Sequence, residues 1–177
     1  KALWKKRFGV AAQLYALRRE RGDQGVGDFS ALGEAAEGAA QAGAAYFGVS
    51  PMHMLFPGDR SRASPYWPSD RRFLDPMLID VLVDDGLPTD EEASAARASL
   101  GARFADVAKL PAIDYEAMWS VKRIALQYRF AAFLRARAAR GGDPLFSEFD
   151  GFVAAGGENL ARFAVFEAIS RERGGES

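Results

Sequence analysis

The chain reads as an α/β fold, and three observations predict it. Between Arg7 and Val83, short apolar runs alternate with Gly and Pro punctuation and one alanine-rich helical stretch, the rhythm of strands joined by a crossover helix. From Thr89 onward, helical periodicity takes over almost completely. With 49% of its 177 residues hydrophobic, the chain has enough apolar surface for one real core.

The elements follow in order. "RFGVAAQLYALR", Arg7 to Arg18, reads as a buried strand. "DFSALGEAAEGAAQAG", Asp28 to Gly43, reads as a helix with Asp28 or Ser30 as its N-cap, small residues toward a sheet and Gly43 as its stop. "AAYFGVSP", Ala44 to Pro51, is continuously apolar, as a strand covered on both faces would be. Strand, helix and strand would make one right-handed crossover unit. In the second half, Asp114 caps a long helix in which Tyr115, Met118, Trp119, Leu126, Phe130 and Phe133 recur at helical spacing until Gly141-Gly142. Asp143-Pro144 opens another, with Leu145, Phe146, Phe149, Phe152 and Val153 as its stripe. A last helix is expected from about Glu158 to Arg173 on Leu160, Phe163, Val165, Phe166 and Ile169. These stripes are read as core. No repeat or low-complexity linker separates the halves, so the helices are expected to pack on the βα unit.

Charge and composition narrow the function. Basic residues number 23 against 24 acidic ones, and a formal net charge of −1 leaves no electrostatic footprint for nucleic acid or an anionic membrane. No apolar run approaches the roughly 18 residues of a membrane span. Cysteine is absent, which removes disulfides, thiol chemistry and Cys-based zinc sites and fits a reducing compartment. The start, "KALWKKRFGV", is basic but has no hydrophobic region behind it, so no secretory signal is read there. It also lacks an initiator Met, and the chain is expected to be a piece of something longer.

Few residues are spaced for chemistry. "GVGDFS", Gly25 to Ser30, resembles the glycine-rich turn that seats a pyrophosphate, but Ser30 holds the third glycine position and no acid follows about 20 residues on to bind a ribose. It reads instead as a βα loop with a helix cap, and "RGD" at Arg21 to Asp23 as a chance tripeptide within it. His53 is the single histidine, so a His-pair metal site or a Ser-His-Asp triad is hard to build. It does fall just past the second strand, at the carboxyl end where parallel sheets and barrels hold ligands. A structural role and a site role both stay open for it. Asp28, Asp59, Asp70, Asp75, Asp80, Asp84 and Asp85 lie in or near loops and are read mostly as caps and solvated turns. Sequence spacing cannot certify a facing carboxylate pair among them.

One stretch stands apart. "ASPYWPSDRRFLDP", Ala63 to Pro76, has the periodicity of neither a helix nor a plain strand. Pro65 and Pro68 bracket Tyr66 and Trp67 and fix φ on both sides, so the aromatic pair is carried on a short, stiff arm. Rings presented this way suit the C–H face of a pyranose rimmed by hydroxyls. A turn whose aromatics pack beneath their own loop is the competing reading.

"FGVAAQLYALR", "GVGDFSAL", "AAYFGVSPMHMLFP" and "ASPYWPSDRRFLDPMLIDV", in this order and spacing, resemble the 4-α-glucanotransferases of glycoside hydrolase family 77, the amylomaltases or disproportionating enzymes of the wider α-amylase superfamily. "IDYEAMWSVKRIAL" and "LARFAVFEAIS" are similar to the family's later helical region. The resemblance implies the amino-terminal part of a (β/α)8 TIM barrel with an inserted helical subdomain. Residues 1–88 would form the first βα units with the sugar-binding loop after strand two, and residues 89–177 the helical insertion packed on them. A complete barrel needs about 250 residues, so this length cannot close one.

The activity so implied is transfer of an α-1,4-glucan segment between maltodextrins, with retention through a covalent glycosyl-enzyme. The family uses a nucleophilic Asp, an acid/base Glu and a further Asp. No position here matches their motifs, so no catalytic residue is assigned and this chain alone is expected to be inactive. What the resemblance carries over is substrate binding. Tyr66 would stack on the glucose at the donor side of the scissile bond, Ser64 and Pro65 would shape the same loop, and His53 would line that end of the barrel. Trp67 is bulkier than the polar residue that often follows the tyrosine in relatives, and Asp75 stands where many of them have Asn. No cofactor or catalytic metal is implied. The expected partners are a maltooligosaccharide and the remainder of the barrel, and the expected location is cytoplasmic. A hydrolase of the same superfamily, and a noncatalytic module that binds α-glucan or a helical partner, are the alternatives.

Overall fold

A computed structural model of the chain describes residues 6–173; the stretch Lys1 to Lys5, part of the segment read for a signal, lies outside them. The elements run β1 (Val10–Ala12), α1 (Phe29–Gln41), β2 (Phe47–Val49), β3 (His53–Met54), β4 (Asp70–Leu74), α2 (Glu91–Ala108), α3 (Tyr115–Arg140) and α4 (Pro144–Glu172). Single 3₁₀ turns follow β1 at Leu14–Ala16 and β4 at Pro76–Leu78.

β1 and β2 pair in parallel with α1 between them, Val10 opposite Phe47 and Ala12 opposite Val49. Among the described residues this pair has no third strand, so no barrel closes. The strand expected over Arg7 to Arg18 shrinks to three residues for a local reason. The Leu14 amide leaves the ladder to donate to the Ser50 hydroxyl at 3.1 Å, and its carbonyl turns back to accept from Leu17 N. β2 is half-buried, not covered on both faces as its apolar run suggested, because two strands alone leave a face and both edges bare.

Asp28 caps α1, its carboxylate accepting from Ala31 N at 2.9 Å. The glycines before it serve chain packing. Gly25 has φ +83°, and a Cβ on Gly27 would lie 1.8 Å from the Leu14 carbonyl oxygen. Only hydrogen fits there, because the Gly27 amide is drawn in to donate to the Tyr15 carbonyl at 2.9 Å.

The core crosses both halves of the sequence. Val26, Met77 and Val81 bury against Leu100 and Phe104 of α2 and Met118, Val121 and Ala125 of α3. One charge is sealed with them. Lys122, fully buried on α3, donates to the carbonyls of Met77 at 2.6 Å and Ile79 at 2.9 Å. Arg19 reaches Asp80 at 2.8 Å and Asp28 at 3.5 Å in the same region. Burial raises the Asp28 carboxyl above its usual range. It acts in the same direction on Asp80, but the Ser30 hydroxyl, the Leu82 amide and Arg19 outweigh it and hold that carboxyl low.

The two helices expected from Asp143 and from Glu158 run as one element interrupted at Gly157, where φ +49° and ψ −141° break the helix. Their stripes are not core throughout. Phe146 is buried and Phe133 packs edge-on against both Phe146 and Phe149 at 5.2 Å. Phe130, Phe152, Val153, Val165, Phe166 and Ile169, however, stand 45–62% exposed. Periodicity shows that a helix face is apolar; it does not show that anything lies across it.

Two tests follow from this packing. Gly27→Ala forces a methyl into a carbonyl and should lower the melting temperature, costing about 1–3 kcal/mol. Gly33→Ala, in open space on α1, should raise the melting temperature, stabilising by up to about 1 kcal/mol. Burial also pulls the Lys122 ammonium from 10.5 down to about 8, against the attraction of Asp28, Asp80 and Asp75. Between those values the unfolded chain still holds a proton that the folded chain has released. This group's contribution to stability therefore rises with pH across the window, by up to about 3 kcal/mol, and the gain is lost as pH falls through about 8. Lys122→Arg keeps donors but does not titrate there. Relative to that variant, the parent chain should melt higher as pH goes from about 8 to about 10, as thermal melts across the range would read.

Candidate functional site

The site is built on the segment between β3 and β4. These strands pair antiparallel, His53 opposite Leu74 and Met54 opposite Asp70, and flanking bonds from Ser69 N to Met54 O at 2.8 Å and from Asp75 N to Met52 O at 3.1 Å close the base. The aromatic stretch thus does contain a strand, Asp70–Leu74. Neither its residues nor its burial alternate, so no pattern marked it, and β3 supplies the edge that orders it.

At the far end of the excursion, the Ser64 carbonyl accepts from Trp67 N at 3.1 Å, with Pro65 at the second turn position, where its ring presets φ. Arg71 steadies the turn through the Tyr66 carbonyl at 3.2 Å. Both rings stand outside the loop, Tyr66 61% and Trp67 74% exposed, so they do not pack beneath it.

Tyr66 lines an open cleft of about 410 Å³ with Ala12, Gln13, Val49, Ser50 and Pro51, residues at and just beyond the carboxyl ends of β1 and β2. His53 and Pro65 line a smaller cavity of about 30 Å³, walled in part by the same Ser50 and Pro51 and by Tyr15 and Tyr115. Ser64 and Trp67 line neither. Of the sequence-derived residues, then, the fold brings Tyr66, Pro65 and His53 around one pair of strand ends and leaves Trp67 beside them. Gln13 and Ser50, the cleft's polar side chains, were not singled out from sequence. Nothing marks a lone Gln or Ser until the strand ends meet. Among the described residues no three His, Asp or Glu side chains converge as metal ligands would.

What holds the arm was also missed. The reading of the loop acids as caps and solvated turns fits Asp59, which accepts from Ser61 N, and Asp85, which accepts from Leu87 N. As caps it also holds for Asp28 and Asp75, but these two and Asp80 are buried, not solvated. Asp75 does cap its 3₁₀ turn, Oδ1 accepting from Met77 N at 2.8 Å, but Oδ2 also takes Leu55 N at 3.0 Å and Arg60 Nη1 at 2.6 Å. Arg60 is itself buried; its amide donates to Glu116 Oε1 at 2.6 Å and its guanidinium lies 4.2 Å from the centre of the Trp119 ring. From α4, Glu167 accepts from the Ser69 hydroxyl at 3.2 Å, and Phe163 stacks on Phe73 at 4.1 Å. Burial pushes the Glu167 carboxyl above its usual range.

Similarity to known proteins runs along nearly the whole chain. Residues 12–177 match the glycoside hydrolase 77 family, described as 4-alpha-glucanotransferase. A 4-alpha-glucanotransferase of Haemophilus influenzae is 33% identical over 139 residues, which cover 76% of this chain and 19% of that protein. One from Mycobacterium tuberculosis is 36% identical over 135 residues, covering 70% and 18%. The crystal structure of amylomaltase from Corynebacterium glutamicum superposes with a TM-score of 0.77 at 28% identity, over 97% of this chain and 23% of that one. The chain thus spans about a fifth of the length of the relatives it matches. A fold shared over almost its full length, together with a family match to 166 of its positions (12 to 177), makes this mixed α/β chain a member of the glycoside hydrolase 77 family of 4-alpha-glucanotransferases.

Proposed function

We propose that this chain supplies the sugar-holding arm of a 4-α-glucanotransferase that moves α-1,4-glucan segments between maltodextrins with retention. On this reading β1, α1 and β2 begin a (β/α)8 barrel, residues 1–88 carry its sugar-binding loop, and residues 89–177 form a helical insertion. The acids that break and remake the glycosidic bond belong to other parts of the enzyme.

One observation carries the proposal: the Tyr66 ring is exposed, on a proline-set turn, and borders the cleft at the carboxyl ends of two parallel strands. A phenol so placed offers a flat apolar face to a pyranose and a hydroxyl to its rim. Gln13 and Ser50 add polar side chains to the lining of the same cleft. Trp67 would extend the platform outward, while Ser64, Pro65 and His53 shape its base. Holding the ring in one orientation converts loose binding into alignment for in-line attack.

The test uses a full-length family enzyme that carries this chain as its corresponding segment. Tyr66→Ala should lower kcat/KM for transfer from maltotriose by about tenfold or more with little change in melting temperature. Trp67→Ala should have a smaller effect, on KM. Unchanged kinetics in Tyr66→Ala would remove that ring from the site. The 177-residue chain incubated alone with maltotriose should release no glucose and no longer oligosaccharide. Turnover by it would show that the reacting carboxylates are present here.

A further inference from the structure

We propose that Arg60, acting through Asp75, is the positioning residue that sets where Tyr66 stands over the cleft, a role that rests on reading Tyr66 as the sugar platform. The Tyr66 ring has little beneath it to fix its place. Its own turn is anchored by the Ser64–Trp67 hydrogen bond and by Arg71, both on or beside the exposed arm. The fixed points lie further back. Asp75 gathers Leu55 from the start of the excursion, Arg60 from its middle and Met77 from beyond its end. Arg60 then carries the tie onward to α3, through its amide to Glu116 and its guanidinium over Trp119. Of all these groups only Arg60 lies within the excursion and also bonds both to the hairpin base and to α3.

Stability alone does not account for this pair. The Arg60 side chain is wholly enclosed, and its Nε and Nη2 have no hydrogen-bond partner among the described residues. Sealing a guanidinium with two donor nitrogens unmatched is costly, and a well-packed apolar pair would hold a core at least as well. What an apolar pair lacks is direction. One charge-assisted bond from Arg60 Nη1 to a carboxylate that is itself pinned by two backbone amides, with the guanidinium lying over the Trp119 ring, fixes distance and angle together. Such definition matters at a platform, because displacement by about 1 Å can cost on the order of 100-fold in rate.

The experiment is a double-mutant cycle in the full-length enzyme carrying this segment. Arg60→Lys keeps the charge and loses the planar guanidinium; Asp75→Ala removes the carboxylate that the Arg60, Leu55 and Met77 donors share. Each should lower kcat/KM for transfer from maltotriose by about tenfold, with KM raised. In a Tyr66→Ala background the same substitutions should change it by less than about twofold, because the group they position is gone. Equal losses in both backgrounds would show that Arg60 acts on the fold alone and would overturn the proposal. If Tyr66→Ala is damaging while folded Arg60→Lys and Asp75→Ala transfer normally, the positioning role fails and the sugar platform stands. If Tyr66→Ala is silent, both fall. Should the buried variants fail to fold, Glu116→Gln loosens only the Arg60 amide anchor. It should give about a threefold loss that disappears in the Tyr66→Ala background, and a loss independent of Tyr66 would again overturn the proposal.

Discussion

The Asp75 carboxylate, held by Arg60 and two backbone amides, is the constraint on which the candidate site depends. A carboxylate at 2% exposure is tolerated because charged and amide donors surround its oxygens, each replacing a bond to water. The arrangement closes on itself. Met77 donates its N–H to Asp75 and accepts at its carbonyl from Lys122 of α3, while Glu116, about 1.7 turns earlier on α3, accepts from the Arg60 amide. The helix therefore grips the excursion at Arg60 and the chain beyond β4 at Met77, and the 3₁₀ turn Pro76–Leu78 is the joint where Asp75 and Lys122 both meet backbone.

Around this joint the molecule divides its labour. Interlocked apolar side chains of α2, α3 and the Val26–Val81 region supply the non-directional part of the stability. Buried charges supply the directional part: Arg19, Asp28 and Asp80 tie the first βα unit to the chain after β4, and Arg60 and Asp75 tie the arm. α4 touches the same hairpin from its far segment, beyond the break at Gly157, through Phe163, Glu167 and Asn159. A stiff turn mounted on so braced a base presents its rings to solvent with little freedom to fold them away, as the proposed sugar platform would require.

The surfaces left bare are as informative as those covered. The β1–β2 pair is parallel and short, with β1 largely exposed and β2 half-buried, whereas parallel strands occur in proteins chiefly with further strands and helices against them. The apolar residues exposed along α3 and α4 form a second uncovered face. Both fit a segment that matches only about a fifth of each relative's length.

The amino-acid sequence by itself determined what depends on near neighbours. Asp28, Asp114 and Asp143 cap helices where side-chain oxygens meet amides two or three residues on, and Gly141 ends α3 in the left-handed region. Pro65 and Pro68 bracket the aromatic pair wherever the arm goes. Family membership was also legible there, because the stretches that carry it are short and contiguous. Tertiary structure alone decided which acids are solvated and which are buried, how far β1 runs, and whether an apolar stripe is core. Asp75 and Asp59 look alike in sequence; only the approach of Arg60 and Leu55 separates them. Burial and ion pairing are sums over atoms distant along the chain, and no local pattern of residues contains those sums.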